Sequence, residues 1–233
     1  LFPYTTLFRS GKQNDRIISM VKMIYLEAFS LDFQLKNIFA AAEIESGETF
    51  VSHAWIDIDS IIHSVVDKFQ ENAQKKEIRI NTDVQLVEGE GKEKNFITDP
   101  QKLQLILSNL IDNAIKFSSA TGAVNVSARI LEDRSLRLVV EDYGSGIAKE
   151  DQVTIYDRFS KADHGINDAN RGHGLGLSII KALVELLNGK ITMKSQLHHG
   201  TVFTIIIPRG VISEETDGFS MDGNDIFFEE ETF

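Results

Sequence analysis

Three polar side chains in the middle of the chain recur at the spacing of an α-helix. Asn109, Asn113 and Lys116 stand at positions i, i+4 and i+7, which at about 100° per residue places them within an arc of about 60° beside an apolar face. A carboxamide oxygen is a hard, neutral ligand that suits Mg²⁺ when phosphates supply the negative charge, and the lysine can contact those phosphates. The stripe is a candidate metal and phosphate site. A solvated helix edge gives the same pattern.

A second candidate lies where an apolar stretch ends in a carboxylate and two spaced glycines. Residues 138–147 read LVVEDYGSGI, in which Asp142 is followed by Gly144 and Gly146. Glycines let the backbone approach a flat ring, and a carboxylate at the end of a strand accepts a hydrogen bond from an exocyclic amine such as that of adenine. The segment therefore indicates a site for a flat ligand, and a turn with a helix-capping aspartate is the alternative.

The third candidate is a glycine cluster that opens directly into an apolar helix. Residues 171–178 read RGHGLGLS and precede IIKALVELL. Glycines at the N-terminal end of a helix free several backbone N–H groups, which together form an anion site. A dinucleotide fingerprint is not supported, because Leu177 stands where its third glycine would be. A Walker A loop is also missing, because isoleucine follows Gly189 and Lys190.

A long helix with a heptad pattern is predicted ahead of these motifs. It begins at Asn14 or Asp15, either of which can cap it, and it ends at Gly47. Its apolar positions alternate spacings of four and three, which indicates a seam that another helix must cover; they are Ile17, Val21, Ile24, Ala28, Leu31, Leu35, Ile38 and Ala42. A single buried helix within one domain is the alternative.

The rest of the chain predicts an α/β arrangement that positions the three motifs. Asp57 or Asp59 can cap a helix through Phe69, and Asp99 followed by Pro100 is a strong start for a helix over 100–117. A further helix follows the glycines and runs to about Asn188. Residues 88–95 indicate a loop, and strands are predicted over 78–84, 124–131, 136–141, 191–195 and 202–207, the last two as a hairpin.

Composition and charge exclude several functions. The 233 residues carry a formal net charge of -11, which disfavours nucleic acid as a partner, and they contain no cysteine, which excludes disulfides and thiolate metal sites. No apolar run approaches the length of a membrane span, so the chain itself is expected to be soluble and without membrane contact. The expected location is the cytoplasm, either as a free protein or as the cytoplasmic part of a membrane-anchored one. Residues 209–233 hold eight acidic residues and one basic residue, as expected of a linker or disordered tail. Residues 1–10 are expected to be a non-native or disordered leader.

In this order and spacing, the motifs resemble the catalytic domain of sensor histidine kinases, members of the Bergerat-fold ATPase superfamily that also includes DNA gyrase, a chaperone family and MutL. NLIDNAIKF resembles the N box, EDYGSGI the first glycine box, IYDRFSK the F box, RGHGLGLSIIKALVELLNGKI the second glycine box and GTVFTIIIP the closing strand. The resemblance covers residues 17–208. It implies an α+β, two-layer sandwich, with a mixed sheet covered by helices on one face and the long helix in front.

The resemblance also implies a role for each matching residue, with ATP and Mg²⁺ as cofactors. Asn113 is the expected Mg²⁺ ligand with Asn109 beside it, Lys116 is a phosphate contact, and Asp142 holds the adenine amino group. Arg158 and Arg171 are candidates for the γ-phosphate or for a surface of the other domain. The remaining expected nucleotide contacts are Phe117, Gly144, Gly146, Ile147, Phe159 on a lid, Gly172, Gly174, Leu175, Gly176 and Thr201.

One part of the family pattern is missing from this sequence. The segment over 11–52, which contains the long helix, resembles the second helix of the dimerisation and phosphoacceptor hairpin. No histidine precedes His53, however, and none of the six has the expected acidic neighbour. We therefore expect a fragment whose ATP-binding domain spans 53–208. It would dimerise through the helix, serve a response regulator receiver domain and be unable to label itself.

Three other functions are alternatives to the kinase. An ATP hydrolase of the gyrase, chaperone or MutL kind needs a glutamate to activate water where Asn109 stands, and a carboxamide is a poor general base. Serine kinases of the anti-sigma-factor type lack a heptad helix in front. A non-catalytic dimerisation scaffold with a decayed pocket would not need the set of Asn113, Asp142 and three glycines.

Overall fold

The computed structural model describes residues 4–85, 95–157 and 174–212, with side chains from residue 14 onward. In chain order the described elements are α1 (Tyr4–Ser46), β1 (Ala54–Asp57), α2 (Ile58–Lys75), β2 (Arg79–Gln85), β3 (Asn95–Thr98), α3 (Pro100–Phe117), β4 (Ala123–Ile130), β5 (Leu136–Asp142), a short 3₁₀ turn (Asp151–Val153), α4 (Gly176–Leu186), β6 (Lys190–Gln196) and β7 (Gly200–Ile207).

A five-stranded mixed sheet forms one layer of the molecule. Its order is β2-β4-β5-β7-β6, with β2 and β4 parallel and the other neighbours antiparallel. Alternate residues of β4, β5 and β7 are buried against α2, α3 and α4, which form the second layer. The predicted two-layer sandwich with its closing hairpin is therefore confirmed.

The two central helices begin where their capping carboxylates predict. Asp57 accepts from the backbone N–H groups of Asp59 and Ser60 at the start of α2, so the first of the two candidate caps is the one used. Asp99 accepts from Gln101 and Lys102 ahead of α3. These caps satisfy N–H groups that have no partner within the helix, and they set the register of both apolar faces.

The long helix starts earlier than the sequence pattern predicts. It begins at Tyr4 rather than at Asn14 or Asp15, so the predicted start of the helix is wrong. That residues 1–10 form a non-native or disordered leader stays a prediction. No proline lies between residues 4 and 46, and Gly11 costs a helix interior only about 1 kcal/mol. The capping residues at 14 and 15 therefore do not stop a helix that continues through them.

The predicted seam of α1 is exposed, whereas another face of the helix packs on the domain. All eight seam positions are exposed. The docked face, which we define as Leu26, Phe29, Phe33, Asn37 and Ala40, is buried or half-buried. The rings of Phe29 and Phe33 pack edge-to-face with the ring of Phe69 on α2, and their centroids lie 5.2 and 5.9 Å from the Phe69 centroid. The alternative of a fully buried helix is thus not what the structure shows.

A small two-stranded sheet is the main element that the sequence did not predict. β1 and β3 pair antiparallel, and the Gly210 N–H donates to the carbonyl of Ile97 on β3 at 2.8 Å. Asn95, expected in a loop, begins β3, while residues 86–94 of that predicted loop lie outside the described residues. α4 ends at Leu186, two residues before the predicted end, and Asn188 has a positive φ of 54°.

Candidate functional site

The two carboxamides of α3 face the first turn of α4. A Cβ atom added to Gly176 would lie 2.9 Å from Asn109 Oδ1 and 3.7 Å from Asn113 Nδ2. Any side chain at position 176 would therefore press against Asn109. The structure brings together two of the three predicted motifs at this point, so that polar atoms of α3 lie beside the start of α4.

The start of α4 leaves its backbone N–H groups without a side-chain cap. Leu175 is the N-cap residue and offers no oxygen to them, while Gly174 has a positive φ of 68° that a glycine adopts without strain. Uncapped N–H groups at the positive end of a helix favour an anion. Gly172 and Phe159, with Arg158 and Arg171, lie outside the described residues.

Lys116 is held by a carboxylate of its own helix. Its Nζ lies 2.5 Å from Asp112 Oδ2. Burial raises the pKa of Asp112, and the charges of Lys116 and Lys76 work against that rise. Lys116 and Phe117 also line a cavity of about 370 Å³ with the turn after β5, including Gly144 and Ser145. Lys116, near the end of α3, therefore lies beside the turn that follows Asp142.

Asp142 ends β5 as a buried carboxylate. Its Oδ1 accepts from the Gly144 N–H at 2.9 Å, and Thr201 lies opposite it on β7. Burial raises the pKa of Asp142 and the nearby charge of Glu141 adds to that rise, while the backbone N–H groups of Gly144 and Thr201 oppose it. A buried acceptor whose charge is unfavourable gains from a further donor, which a ligand amine can supply.

The two glycines after Asp142 are required by close backbone contacts. A Cβ on Gly144 would lie 2.0 Å from the carbonyl oxygen of Phe117, which already accepts from the Ser145 N–H at 3.1 Å. A Cβ on Gly146 would lie 2.0 Å from the carbonyl oxygen of Gln196, and its φ is +63°. The turn packs between the end of α3 and β6, and positions 144 and 146 have no room for a side chain.

A hydroxyl network joins this turn to the closing hairpin. Ser195 Oγ accepts from the Ile147 N–H at 2.8 Å and lies 2.9 Å from Thr201 Oγ1. Ile147 and Thr201 were predicted nucleotide contacts, and Ser195 was not. In the sequence, Ser195 looks like an ordinary polar strand residue. Its contact with Thr201 follows from the pairing of β6 with β7, which the sequence pattern alone does not align.

The sequence also missed the partner of Asn109. Asn109 is 3% exposed, and its Nδ2 donates to Asn37 Oδ1 at 2.7 Å and to the Leu105 carbonyl at 2.9 Å. Asn37 lies on the docked face of α1, 72 residues away in the chain. A lone asparagine in a heptad helix carries no sign of a distant partner, so only the docking of α1 reveals the pair.

The fold and the convergence of these motifs define an ATPase-type nucleotide domain. Residues 98–211 match the family described as histidine kinase-, DNA gyrase B- and HSP90-like ATPase, and this segment of the chain belongs to that family. Among its curated relatives, the circadian input-output histidine kinase CikA of Synechococcus elongatus is 30% identical over 89% of this chain. The chain spans 27% of that relative's length.

Solved structures show the same fold. The Acinetobacter baumannii histidine kinase AdeS matches with a TM-score of 0.61 at 21% identity, over 91% of this chain and 88% of that one. Full-length ShkA in complex with AMPPNP matches with a TM-score of 0.65 at 23% identity, over 87% and 40% of the two chains. CikA and AdeS are both histidine kinases. In the described ranges, no helix is long and apolar enough to cross a bilayer.

Proposed function

We propose that this chain binds ATP with Mg²⁺ and serves as the catalytic part of a sensor histidine kinase. The observation that carries the proposal is the convergence of Asn109, Asn113 and Gly176, with Asp142 at the end of the neighbouring strand β5. The complex of ShkA with AMPPNP, an ATP analogue, supports ATP as the nucleotide. Asp142 would accept from the adenine amino group, and the start of α4 would hold phosphate.

The side chains present fit a Mg²⁺ ion that arrives with the nucleotide. Across the side chains described in residues 14–85, 95–157 and 174–212, no group of three His, Cys, Asp or Glu could hold a metal ion. The carboxamides of Asn109 and Asn113 are neutral oxygen donors, so the negative charge that the ion needs would come from the phosphates. When bound, Mg²⁺ would neutralise the phosphate charge that develops during phosphoryl transfer.

Lys116 would change partner when nucleotide binds. Its 2.5 Å pairing with Asp112 holds the ammonium near the turn after β5. The triphosphate carries several negative charges against the single charge of Asp112, so it attracts the ammonium more strongly. We therefore infer that Lys116 turns from Asp112 toward the nucleotide.

Transfer to histidine fits the site better than hydrolysis. Asn109 occupies the position at which a hydrolase of this superfamily would carry a water-activating glutamate, and its Nδ2 is bound to Asn37. A carboxamide cannot accept a proton from water at neutral pH. The γ-phosphoryl group would therefore pass to a phosphoacceptor histidine and then to an aspartate of a response regulator.

The exposed seam of α1 would form the homodimer interface. Large apolar side chains, including Ile24 at 67% and Leu31 at 69% exposure, lie along it at heptad spacing. A helix that exposes such a seam is stabilised by pairing with another helix. In a two-helix hairpin, the partner helices would include the one that carries the phosphoacceptor histidine.

A binding experiment tests the nucleotide site. ATP is titrated into the wild-type chain, Asn113→Ala and the exposed control Asn81→Ala, each with Mg²⁺ and with EDTA. We expect Mg²⁺ to strengthen ATP binding in the wild type and in Asn81→Ala, and this gain to fall at least tenfold in Asn113→Ala. An equal gain in all three would remove Asn113 from the metal site.

A transfer experiment tests the reaction. The chain is incubated with γ-labelled ATP and a separate polypeptide that carries the phosphoacceptor helix of a histidine kinase. Acid-labile, base-stable label is expected on the polypeptide and not on this chain, because none of its six histidines has the acidic neighbour of a phosphoacceptor site. Label of that kind on this chain alone would overturn the expectation.

A further inference from the structure

A buried pair of carboxamides joins α1 to the nucleotide site. Asn37 is 8% exposed and Asn109 is 3% exposed. Asn109 Nδ2 donates to Asn37 Oδ1 at 2.7 Å, while Asn37 Nδ2 donates to the Phe33 carbonyl at 3.0 Å. Buried carboxamides without partners are costly, so each side chain constrains the other.

The pair fixes which way the Asn109 carboxamide faces. Both of its N–H bonds are directed away from α4, one toward Asn37 and the other toward the Leu105 carbonyl. Its Oδ1 is therefore the atom that faces Gly176, at 2.9 Å from the position of an added Cβ. A carboxamide turned by half a rotation would present N–H donors there and would no longer offer an oxygen to a cation.

We propose that Asn37 is a positioning residue that holds the Asn109 carboxamide with its oxygen toward the start of α4, so that docking of α1 is coupled to nucleotide binding. This inference rests on the proposed function. Asn37 itself does not contact nucleotide. It acts through Asn109, and it makes the docked helix part of the support of the site.

Contacts other than the Asn37–Asn109 pair hold α1 on the domain, so the effect of the pair can be measured without releasing the helix. Phe29 and Phe33 hold α1 against Phe69 through ring contacts that do not involve Asn37. The Lys22–Glu71 ion pair adds a further contact between α1 and α2. Replacing Asn37 by alanine therefore leaves the helix docked while it removes the acceptor for Asn109.

A double-mutant cycle tests the proposal. The affinity for ATP with Mg²⁺ is measured for the wild type, Asn37→Ala, Asn109→Ala and the double variant, with Lys36→Ala as the control on the exposed side of α1. We expect Asn37→Ala to weaken binding about five- to tenfold in the wild-type background and less than twofold in the Asn109→Ala background. Lys36→Ala should change it less than twofold. Equal losses in both backgrounds would overturn the positioning role.

A readout in the nucleotide-free protein keeps the test independent of the proposed function. The side-chain amide signals of Asn109, assigned in NMR spectra by their absence from Asn109→Ala, are expected to shift and to lose protection from exchange in Asn37→Ala. Unchanged signals would overturn the inference even if ATP binds. If the wild type binds no ATP, a shift in these signals still supports the pairing, and the proposed function fails alone. Should Asn37→Ala not fold, Asn37→Ser replaces it, because a serine hydroxyl is too short to reach Asn109.

Discussion

Asp99 holds together three parts of the structure at the start of α3, and its replacement by alanine should destabilise the fold strongly. The residue is 2% exposed. It caps α3 through Gln101 and Lys102, accepts from the Ser52 N–H of the preceding linker at 2.9 Å, and lies 2.8 Å from Lys102 Nζ. Each of these contacts loses its acceptor in Asp99→Ala.

The magnitude follows from the contacts that are lost. An N-cap side chain contributes about 1 kcal/mol. The Ser52 N–H, left without its acceptor, costs about 1 kcal/mol more, and the largely buried Lys102 ammonium, with a side chain 16% exposed, loses a charged partner at a cost of about 1.5 kcal/mol. The expected loss is about 3.5 kcal/mol of the free energy of unfolding, a large fraction of a typical domain's stability.

Urea unfolding monitored by circular dichroism measures this loss. The matched control is Asp57→Ala, because Asp57 caps α2 through two N–H groups in the same way but has no lysine or linker contact of this kind. That variant should lose about 1 kcal/mol. If the two variants lose the same amount, the contacts of Asp99 with Ser52 and Lys102 do not stabilise the fold as argued.

The same residue predicts how stability depends on pH. Burial works against the charge of Asp99, but the hydrogen bond and charge of Lys102, with the backbone N–H groups of Ser52 and Lys102, hold its pKa below 3.8. Since the folded-state pKa is the lower one, the stabilisation is present above the unfolded-state pKa and is lost as pH falls through the folded-state pKa. Asp99→Ala should therefore show a weaker loss of stability below pH 3.8 than the wild type.

Three further outcomes follow from the site and from α1. Gly144→Ala should lower the free energy of unfolding by at least about 2 kcal/mol and weaken ATP binding, because its Cβ would overlap the Phe117 carbonyl. The control Ser145→Ala should change both the free energy of unfolding and the affinity for ATP little. Asp142→Asn should stabilise the nucleotide-free protein at neutral pH, since burial raises the pKa of this carboxyl and disfavours its charge. A loss of stability in thermal unfolding would contradict this. Leu31→Glu should shift the chain from dimer to monomer in analytical ultracentrifugation, because it places charge in the exposed seam, and dimers of unchanged affinity would exclude this seam as the interface.

Local signals in the sequence were enough for the elements around the nucleotide site. The Asp99-Pro100 start predicted α3 at its observed first residue, Pro100, and the predicted last residue, Phe117, is also observed. β5 and the hairpin of β6 and β7 were each placed within two residues at either end. These elements combine a cap or turn with a strong apolar period, so neighbouring residues determine where they begin and end.

Contacts between distant segments could not be predicted in the same way. β1 and β3 are four residues each, and they are stabilised by pairing with each other across about 40 residues of chain rather than by their own pattern. α1 begins at Tyr4, because the candidate caps Asn14 and Asp15 lie inside the helix and do not stop it. The seam predicted on α1 is a face that the structure leaves exposed, and the sequence did not predict the docked face that packs against the domain.

The polar partners in the site show the same limit. Asn109, Asn113, Asp142 and the glycines were identifiable because their types and spacing suit a nucleotide. Asn37 and Ser195 were not, because one partner lies on a separate helix and the other on a neighbouring strand. Their roles depend on which surfaces meet, and a single sequence does not contain that information.

Calorimetric titration of the chain with ATP and with inosine triphosphate, repeated on Asp142→Ala, tests the central claim most directly. Inosine triphosphate lacks the amine that Asp142 is proposed to bind, so the buried carboxylate would be left without its ligand donor. The wild type should bind ATP at least tenfold more tightly than inosine triphosphate, and Asp142→Ala should lose both that preference and most of the ATP affinity. Two results would contradict the account. One is a well-folded wild-type protein that binds no ATP, and the other is a wild type that prefers ATP over inosine triphosphate no more than Asp142→Ala does.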